Sequence, residues 1–299
     1  MADLYVFHQG IGGESMSLWY SVFDGTNWAP DTQVLGTTRG GSNLDLASPP
    51  SAVAWAGGIS VFHQGWLHTV PGTPDGHLWY TYSPDGAEWG PDTLGTSLGM
   101  SESPSAVVYN GLLYVFHQGF GGNGQLWYSV FDGANWGEDT QIQPLGMSGS
   151  PAAVAWAGGI TVFHQGSDNN GQLWYTYSPD GANWDPDTLV SGRFISGSPS
   201  AVVYNGVLYV FYQGGNQYAG QLWYTTYDGT NWGENIIPNL GMSGSPSAVV
   251  WAGGITVFHQ GFGDDGQLSY TYSPDGAHWG GDTQVPNVGM SGSPSCVVV

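Results

Sequence analysis

The sequence predicts an all-β protein, a six-bladed β-propeller with four antiparallel strands in each blade. Three observations lead to this fold class: a strand-like segment occurs six times, its copies recur at near-constant spacing, and the two ends of the chain complement each other. A repeat of roughly 50 residues that contains several short strands is typical of one propeller blade. We expect a single domain over residues 1–299, without a linker.

The repeated segment is clearest at Leu113–Gly119, which reads Leu-Tyr-Val-Phe-His-Gln-Gly. Branched and aromatic residues that end at a glycine are typical of a β-strand. Five of the six copies end in His-Gln-Gly, and the fifth copy has Tyr212 in place of the histidine. The other copies begin at Leu4, Ile59, Ile160, Leu208 and Ile255.

Repeat 3 shows the whole unit. Its four segments, named strands a to d, span residues 103–109, 113–118, 125–131 and about 135–143. Asn110-Gly111 joins strand a to strand b, and Asp132-Gly133 joins strand c to strand d; both dipeptides favour tight hairpin turns. A glycine-rich loop joins strand b to strand c. The unit is therefore a four-stranded antiparallel meander.

The spacing of the repeats predicts a closed ring. Successive histidine or Tyr212 positions lie 47 to 55 residues apart, and the distance from His259 through the chain end to His8 is 48 residues. The chain opens at strand b of repeat 1 and finishes with a strand a, Ser293–Val299. We expect this last strand to complete the first blade, which removes the open edge of a linear array.

A second period groups the blades in pairs. Odd repeats have Phe-Asp-Gly or Tyr-Asp-Gly at the turn between strands c and d, whereas even repeats have Ser-Pro-Asp-Gly. Strand a ends in Trp-Ala-Gly-Gly before the even b strands and in Tyr-Asn-Gly before Leu113 and Leu208. The unit of duplication is therefore predicted to be a pair of blades that occurs three times.

Composition excludes several classes of partner. The formal net charge is −21, lysine is absent, and Arg39 and Arg193 are the only firm cations. Phosphate groups require several Lys or Arg contacts, so nucleic acids and anionic membranes are not expected partners. The 15 tryptophans are many for an ordinary globular chain. Abundant indoles with few charges favour a neutral ligand.

The expected compartment, and the expectation of no cofactor, follow from sequence features that are absent. Cys296 is the only cysteine, so no internal disulfide is expected. The Met-Ala-Asp start lacks the features of a signal peptide, and no apolar run reaches the roughly 18 residues of a membrane span. We expect a soluble protein that is cytoplasmic or secreted by a non-classical route. No His/Cys cluster or EF-hand spacing predicts a metal, and no cofactor is expected.

The functional end of the ring is predicted from loop variation. Antiparallel geometry places the b–c loops and the d–a connections at one end of the ring and the tight turns at the other. The b–c loops differ between repeats, and this end combines imidazole, amide and indole groups. Amides can bind sugar hydroxyls and an aromatic ring can stack on the apolar face of a sugar. We therefore predict repeated carbohydrate sites at this end.

The candidate carbohydrate-binding residues end strand b or begin strand c. They are His8, Gln9, Trp19, His63, Gln64, Trp79, His117, Gln118, Gln125, Trp127, His164, Gln165, Gln172, Trp174, Tyr212, Gln213, Gln221, Trp223, His259, Gln260 and Gln267. A structural role is the alternative: the His and Gln side chains would brace neighbouring strands, and the tryptophans would pack in the core. Strand alternation places neighbours such as His117 and Gln118 on opposite faces. Repeat 6 has Ser269 at the tryptophan position, where a weaker site is expected.

The segments Ser-Pro-Ala-Ala-Val-Ala-Trp, Ile-Thr-Val-Phe-His-Gln-Gly, Gly-Gln-Leu-Trp-Tyr and Asp-Gly-Ala-Asn-Trp resemble the repeats of β-propeller lectins. The pattern is similar to the Photorhabdus-type lectins and the fungal GlcNAc-binding propeller lectins. This resemblance implies repeated sugar sites at or between blades. Fungal fucose-binding lectins are also six-bladed, but that family uses an arginine and a glutamate in each site, more arginines than this chain has.

Other functions have less support in the sequence. Ser-Pro-Asp-Gly-Ala-Asn-Trp resembles the Asp-box of sialidases with a spacing that differs by one, and two arginines cannot form the arginine cluster of that family. A glycosidase needs a catalytic carboxylate pair, and the irregular carboxylates Glu14, Asp45 and Asp75 have no evident partner. We therefore expect a non-enzymatic, multivalent lectin for neutral sugars such as GlcNAc- or galactose-type glycans. A protein-binding propeller is the alternative.

Overall fold

The computed structural model of the protein describes residues 2–12, 16–35, 44–67, 73–96 and 99–299, with the backbone alone at positions 144, 234 and 239. Arg39, Glu14 and parts of the b–c loops of repeats 1 and 2 lie outside the described residues. The described chain consists of β-strands, turns and short 3-10 segments without an α-helix, which confirms the all-β prediction. Within these ranges no helix is long and apolar enough to cross a bilayer.

Twenty-one strands follow one another in the described chain. They are β1 Leu4–Gln9, β2 Leu18–Phe23, β3 Thr32–Gln33, β4 Ser51–Trp55, β5 Gly58–Trp66, β6 Pro74–Ser83, β7 Thr93–Thr96, β8 Met100–Tyr109, β9 Leu112–Gly119, β10 Gln125–Phe131, β11 Thr140–Trp156, β12 Gly159–Gly166, β13 Gln172–Ser178, β14 Thr188–Tyr204, β15 Val207–Gly214, β16 Gln221–Tyr227, β17 Trp232–Trp251, β18 Gly254–Gly261, β19 Gln267–Ser273, β20 Thr283–Gly289 and β21 Ser291–Val298. Short 3-10 segments at Phe120–Gly122, Ser167–Asn169 and Asn216–Tyr218 begin the b–c loops of repeats 3, 4 and 5.

Strand pairing is antiparallel and follows the order of the chain. One sheet has the order β4-β5-β6-β7, and a long sheet runs in chain order from β8 to β20. The strands β11, β14 and β17 are long because each forms strand d of one repeat and strand a of the next. A third sheet has the order β21-β1-β2-β3. The register of β21 on β1 pairs Leu4 with Val298, so the last strand lies beside the first.

The core lies between neighbouring repeats. Strand b of repeat 1 directs Tyr5 and Phe7 toward Ile59 of repeat 2 and directs Val6 toward Phe258 of repeat 6. Strand b is therefore buried on both faces, which explains its continuous run of apolar residues. The aromatic and branched side chains of this strand hold each repeat to the repeats on either side.

Strand a of each repeat contacts strand a of the next through serine hydroxyl groups. The backbone N–H of Ala106 donates to Oγ of Ser51 at 3.0 Å, and the N–H of Ala52 donates to Oγ of Ser295 at 2.8 Å. Equivalent bonds link Ala153 to Ser105, Ala248 to Ser200 and Cys296 to Ser247. The small residues of strand a thus satisfy backbone donors at the edge of one sheet with hydroxyls of the neighbouring repeat.

The two ends of the repeats differ in their turns. The a–b turn of repeat 3 has positive φ angles at Asn110 (50°) and Gly111 (76°), as a tight hairpin turn requires. We call the end that carries the a–b and c–d turns the turn end. The end that carries the b–c loops and the d–a connections is called the loop end.

Candidate functional site

The five strand-b histidines are buried braces at the loop end. The Nδ1 atom of His117 lies 3.1 Å from the carbonyl oxygen of Gln118, and its Nε2 atom lies 3.0 Å from Oδ1 of Asp139. The same two contacts recur for the pairs His8–Asp31, His63–Asp92, His164–Asp187 and His259–Asp282, and each imidazole is at most 1% exposed. Because both ring nitrogens have partners inside the protein, each histidine ties strand b to the start of strand d.

The strand-b glutamines make a second set of braces. The Nε2 group of Gln118 donates to the carbonyl oxygen of Met147 at 3.2 Å, and that of Gln64 donates to the carbonyl oxygen of Met100 at 2.9 Å. Equivalent bonds join Gln9 to Leu46, Gln165 to Ile195 and Gln213 to Met242. These amides hold the d–a connection against strand b, and Gln260 is buried at the same position.

The strand-c tryptophans lie directly opposite the histidines. Trp127 pairs with His117 across strands b and c, and its indole is partly exposed. The glycine of His-Gln-Gly is required here, because a Cβ at Gly119 would stand 2.7 Å from Nε1 of Trp127 and 2.5 Å from the amide of Asn123. The Oδ1 atom of Asn123 also accepts the backbone N–H of Gln125 at 3.0 Å, which fixes the start of strand c.

Repeats 5 and 6 depart from this pattern, as the sequence indicates. Tyr212 replaces the histidine in repeat 5, and there the guanidinium group of Arg193 donates to Oγ1 of Thr225 and to the carbonyl oxygen of Gly233. Thr225 occupies the strand-c position at which Ser129 bonds Asp139 in repeat 3. In repeat 6 the buried Ser269 lies opposite His259 in place of a tryptophan.

In the described part of the loop end, a groove includes one of the predicted residues. Gln221, Ile236, Pro238 and Phe262 line a groove of about 540 Å³ between repeats 5 and 6. The ring of Phe262 is 67% exposed. The structure therefore brings the predicted histidines and tryptophans of strands b and c together, but it uses the polar atoms of His and Gln inside the protein. Sugar contact by the predicted residues stays a prediction.

Among the residues that the structure describes, three open clefts lie at the turn end, each between an even repeat and the odd repeat that follows it. The clefts between repeats 2 and 3, 4 and 5, and 6 and 1 have volumes of about 310, 440 and 370 Å³. These volumes are in the range of small-molecule sites. The first is lined by Trp55, Ser60, Tyr82, Phe131 and Trp136, the second by Trp156, Thr161, Tyr177, Tyr227 and Trp232, and the third by Trp251, Thr256, Tyr272, Phe23 and Trp28.

Aromatic rings form the walls of each open cleft. In the cleft between repeats 4 and 5, the rings of Tyr227 and Trp232 stack with centroids 4.7 Å apart and planes at 23°. Trp156, at the end of strand a of repeat 4, packs against Tyr227 with ring centroids 5.4 Å apart. The corresponding stacks are Phe131–Trp136 at 5.0 Å and Phe23–Trp28 at 4.9 Å. Stacking fixes the indoles, and each of the three remains partly exposed.

A small residue on strand b leaves these clefts open. Even repeats have Ser60, Thr161 or Thr256 at the second position of strand b, and odd repeats have a tyrosine there. Thr161 is 3% exposed and lies on the wall of the cleft between repeats 4 and 5. In repeat 4 a tyrosine, Tyr177, lies opposite Thr161 on strand c. Its hydroxyl group donates to the carbonyl oxygen of Ala157 at 3.2 Å.

The charge around the clefts is low. Arg193 is the one Lys or Arg among the described residues, and it does not line any of the three clefts. The c–d turn carboxylate of Asp228 accepts the backbone N–H groups of Asn231 and Thr230, and these bonds lower its pKa. In the part of the chain that the structure describes, no group of three His, Cys, Asp or Glu could hold a metal ion. The clefts can therefore stack a neutral ring but cannot supply a charge pair.

The cleft residues were not among the residues predicted from the sequence. The predicted sites lie at the loop end, and the candidate residues end strand b or begin strand c, so the strand-d tryptophans are not among them. A signal was nevertheless present, because Ser or Thr alternates with Tyr at the second position of strand b in step with the blade pairs.

Comparison with known proteins supports the fold. No protein-family model matches the chain, and no curated protein matches it in sequence. A fucose-recognising lectin from the fungus Aleuria aurantia, described as a six-bladed β-propeller, superimposes with a TM-score of 0.68 at 19% identity, covering 97% of this chain and 93% of the lectin. The similarity to propeller lectins is thus confirmed at the level of the fold.

Carbohydrate-active enzymes share the fold at greater distance. An α-L-arabinofuranosidase from Clostridium thermocellum superimposes with a TM-score of 0.55 at 17% identity, covering 80% of this chain and 94% of the enzyme. An ulvan lyase superimposes with a TM-score of 0.57 at 14% identity, covering 94% of this chain and 80% of the lyase. At such identities the similarity speaks for the fold alone.

Proposed function

We propose that the protein is a multivalent carbohydrate-binding lectin for neutral sugars, with the three open clefts among its binding sites. The observation that supports this most is the threefold recurrence of an aromatic cleft with a buried hydroxyl group and no cation. A pyranose ring stacks its apolar C–H face on an indole and needs no charged partner. GlcNAc- and galactose-type glycans are the proposed ligand class.

We propose that the ligand-binding unit is one domain, residues 1–299, built as a closed ring of six four-stranded blades. The pairing of β21 with β1 and the bond from Ala52 to Ser295 support closure, because they join the last strand to repeats 1 and 2. The six-bladed fold of the Aleuria aurantia lectin supports the number of blades. A rigid ring would hold all sites on one scaffold.

The residues predicted at the loop end would form a second, weaker set of sugar contacts. The partly exposed Trp127 and Gln125 offer a ring and an amide to a second, shallower set of contacts, and Gln221 does so beside Phe262. The His and Gln braces of strand b would position these groups. Direct sugar contact by a histidine would require the histidine to leave its aspartate partner.

An enzyme is the less supported function. A glycosidase acts through two carboxylates at a set separation, whereas the carboxylates that recur in the chain are used in c–d turns and in histidine braces. Asp185 lines the cleft between repeats 4 and 5, but the corresponding cleft between repeats 2 and 3 has no lining carboxylate. The cleft recurs but its carboxylate does not, and this pattern favours a binding site over a catalytic site.

Several weak sites on one ring would bind a glycan-coated surface through avidity, since linked sites raise the effective concentration of each other. We propose glycans or glycoconjugates as partners, met in the cytoplasm or after non-classical release. A protein-binding propeller is the alternative, favoured if pull-down returns one defined protein whose binding is insensitive to sugars.

A glycan array and haemagglutination test the proposal. We expect array signals for neutral glycans, together with agglutination that the free sugar inhibits. Binding to no glycan across a broad array would overturn the lectin function.

A matched pair of variants tests the cleft assignment. Trp232→Leu removes the stacking indole of the open cleft between repeats 4 and 5, and calorimetry should then count one site fewer. Trp184→Leu is the control, because Trp184 is the equivalent strand-d indole between repeats 3 and 4, where it packs on Phe116 at 5.4 Å. Equal loss of sites in both variants, or in neither, would contradict the assignment.

A further inference from the structure

The interface between each odd repeat and the even repeat that follows it is built like an open cleft, but a tyrosine fills it. We call these the filled interfaces. Tyr5, Tyr114 and Tyr209 stand at the second position of strand b, where the open clefts have Ser60, Thr161 and Thr256. Each of these tyrosines is at most 8% exposed. The residue at this strand-b position therefore differs between filled and open interfaces, as do the residues at the end of strand a (Tyr109 against Trp156) and on strand c (Val130 against Tyr177).

The tyrosine ring has a defined position in the filled interface. The ring of Tyr114 lies nearly parallel to that of Phe116, at 12° and with centroids 6.3 Å apart, and at 27° to that of Tyr128 at 6.2 Å. Its hydroxyl group reaches the c–d turn of repeat 4, where a Cβ at Gly181 would stand 2.4 Å from the phenol oxygen. The tyrosine thus spans the interface from strand b to the turn of the next repeat.

The open interface has a vacant counterpart of this position. A Cβ added at Gly229, in the c–d turn of repeat 5, would have no atom within 4 Å. A Cβ added at Gly133, in the c–d turn of repeat 3, would make only an ordinary van der Waals contact with Trp55 at 3.7 Å. The Phe and Tyr framework is retained, since Phe163 and Tyr175 pack at 5.7 Å as Phe116 and Tyr128 do at 5.6 Å. The space that a tyrosine ring fills in one interface is therefore open in the next.

Desolvation raises the pKa of tyrosines in both kinds of interface, including Tyr80 and Tyr175 beside the open clefts. Desolvation is the main cause that raises the pKa of Tyr5, Tyr114 and Tyr209 above the usual value. A neutral phenol in this position requires no countercharge. The linings of the three open clefts contain no Lys or Arg, so an uncharged ring fits there as well.

We propose that Tyr5, Tyr114 and Tyr209 occupy the ligand position of three further clefts, so that the protein has six equivalent sites of which three are closed by its own side chains. This inference rests on the proposed function and narrows its ligand class. A ligand of the open clefts presents a six-membered ring between strand b and the next c–d turn, with a hydroxyl group at its far edge. The alternation of Tyr with Ser or Thr sets the valency at three.

Two substitutions should change the valency in opposite directions. Tyr114→Thr copies the even-repeat residue into repeat 3 and should open a fourth cleft between repeats 3 and 4. Thr161→Tyr copies the odd-repeat residue into repeat 4 and should close the cleft between repeats 4 and 5. Thr161→Tyr fills space and creates no cavity, so it tests the inference even if the Tyr114 variant fails to fold.

Crystals of the wild type and of both variants, soaked with 4-methylphenol as a copy of the tyrosine side chain, allow the sites to be counted directly. We expect three occupied clefts in the wild type, four in Tyr114→Thr and two in Thr161→Tyr. Occupancy that does not follow the residue on strand b, or binding outside the clefts only, would overturn the inference. A negative glycan array with this pattern of occupancy would instead reject the lectin function and leave the equivalence of the clefts standing.

Discussion

The backbone N–H of Cys296 donates to the hydroxyl oxygen of Ser247 at 3.0 Å and so joins the last strand of the chain to strand a of repeat 6. The same bond recurs between other neighbouring a strands, with serine as the acceptor. Strand a of repeat 4 has Ala152 at the acceptor position and therefore no hydroxyl group for Ala201 of repeat 5. This set of contacts therefore has a gap between repeats 4 and 5, where the backbone N–H of Ser150 still donates to Oγ of Ser198 at 3.0 Å.

Filling this gap should stabilise the protein. Ala152→Ser places a hydroxyl group opposite the backbone N–H of Ala201 and is expected to raise the free energy of unfolding by about 1 kcal/mol. Ser200→Ala is the matched opposite change and should lower it by about 1 kcal/mol, because the N–H of Ala248 loses its acceptor. Urea denaturation of the two variants measures both effects. A destabilised Ala152→Ser variant would mean that the interface has no room for the hydroxyl group.

The thiol of Cys296 should be unreactive in the folded protein. Cys296 is partly exposed, but desolvation raises the pKa of its thiol to about 12, and its Sγ atom lies 3.0 Å from Oγ of Ser247. The thiolate is the reactive form of cysteine, so we expect no reaction with a thiol reagent such as Ellman's reagent at pH 8. Full reaction is expected in denaturant. Rapid labelling of the native protein would show that the thiolate forms readily in the folded chain.

The repeated strand allowed the fold to be predicted, because its two faces are set by the sequence alone. Strand b is mostly apolar ahead of its His-Gln-Gly end since both faces pack on neighbouring repeats, and the spacing from His259 around to His8 indicated which strands meet. The pairing of β21 with β1 agrees with that spacing. Because the same unit is repeated, the sequence pattern of one strand also indicates which strand pairs with it.

The position of the clefts could not be predicted with the same ease. A cleft depends on two repeats at once: Thr161 leaves space only because Trp232 of the next repeat stacks on its own Tyr227. The brace of His117 by Asp139 was also missed, although every histidine-containing repeat has an aspartate 22 to 29 residues further along the chain. Side-chain pairing across strands b and d is a property of the folded sheet.

The brace of His117 and Asp139 should contribute to stability more than to ligand binding. His117→Ala leaves a carboxylate that is 6% exposed without its main partner and should lower the free energy of unfolding by about 3 kcal/mol. The double variant His117→Ala/Asp139→Ala should lose less than the sum of the two single variants, because the pair is coupled. Urea denaturation measures the cycle. Loss of sugar binding by His117→Ala at an unchanged melting temperature would instead assign the histidine to the ligand site.

The c–d turns should make the protein sensitive to acid. The turn carboxylates Asp24, Asp85, Asp132, Asp180, Asp228 and Asp275 each accept two backbone N–H groups, and these bonds hold the pKa of each carboxyl below its usual value of 3.8. Because the pKa is depressed in the folded state, the stabilisation is complete above the unfolded value and is lost as the pH falls toward the folded value. The melting temperature should therefore change little from pH 7 to about pH 5 and fall steeply below about pH 4.

Asp180→Asn tests whether the turn carboxylates cause this fall. An asparagine keeps the Oδ1 acceptor for the N–H groups of Ala182 and Asn183 but cannot be protonated in this range. The variant should be less stable than the wild type at pH 7, because an amide oxygen accepts more weakly than a carboxylate, and the difference should shrink as the pH is lowered to 2. Thermal melts of both proteins between pH 2 and pH 7 measure this convergence. A constant difference across the range would mean that Asp180 titrates alike in the folded and unfolded chains.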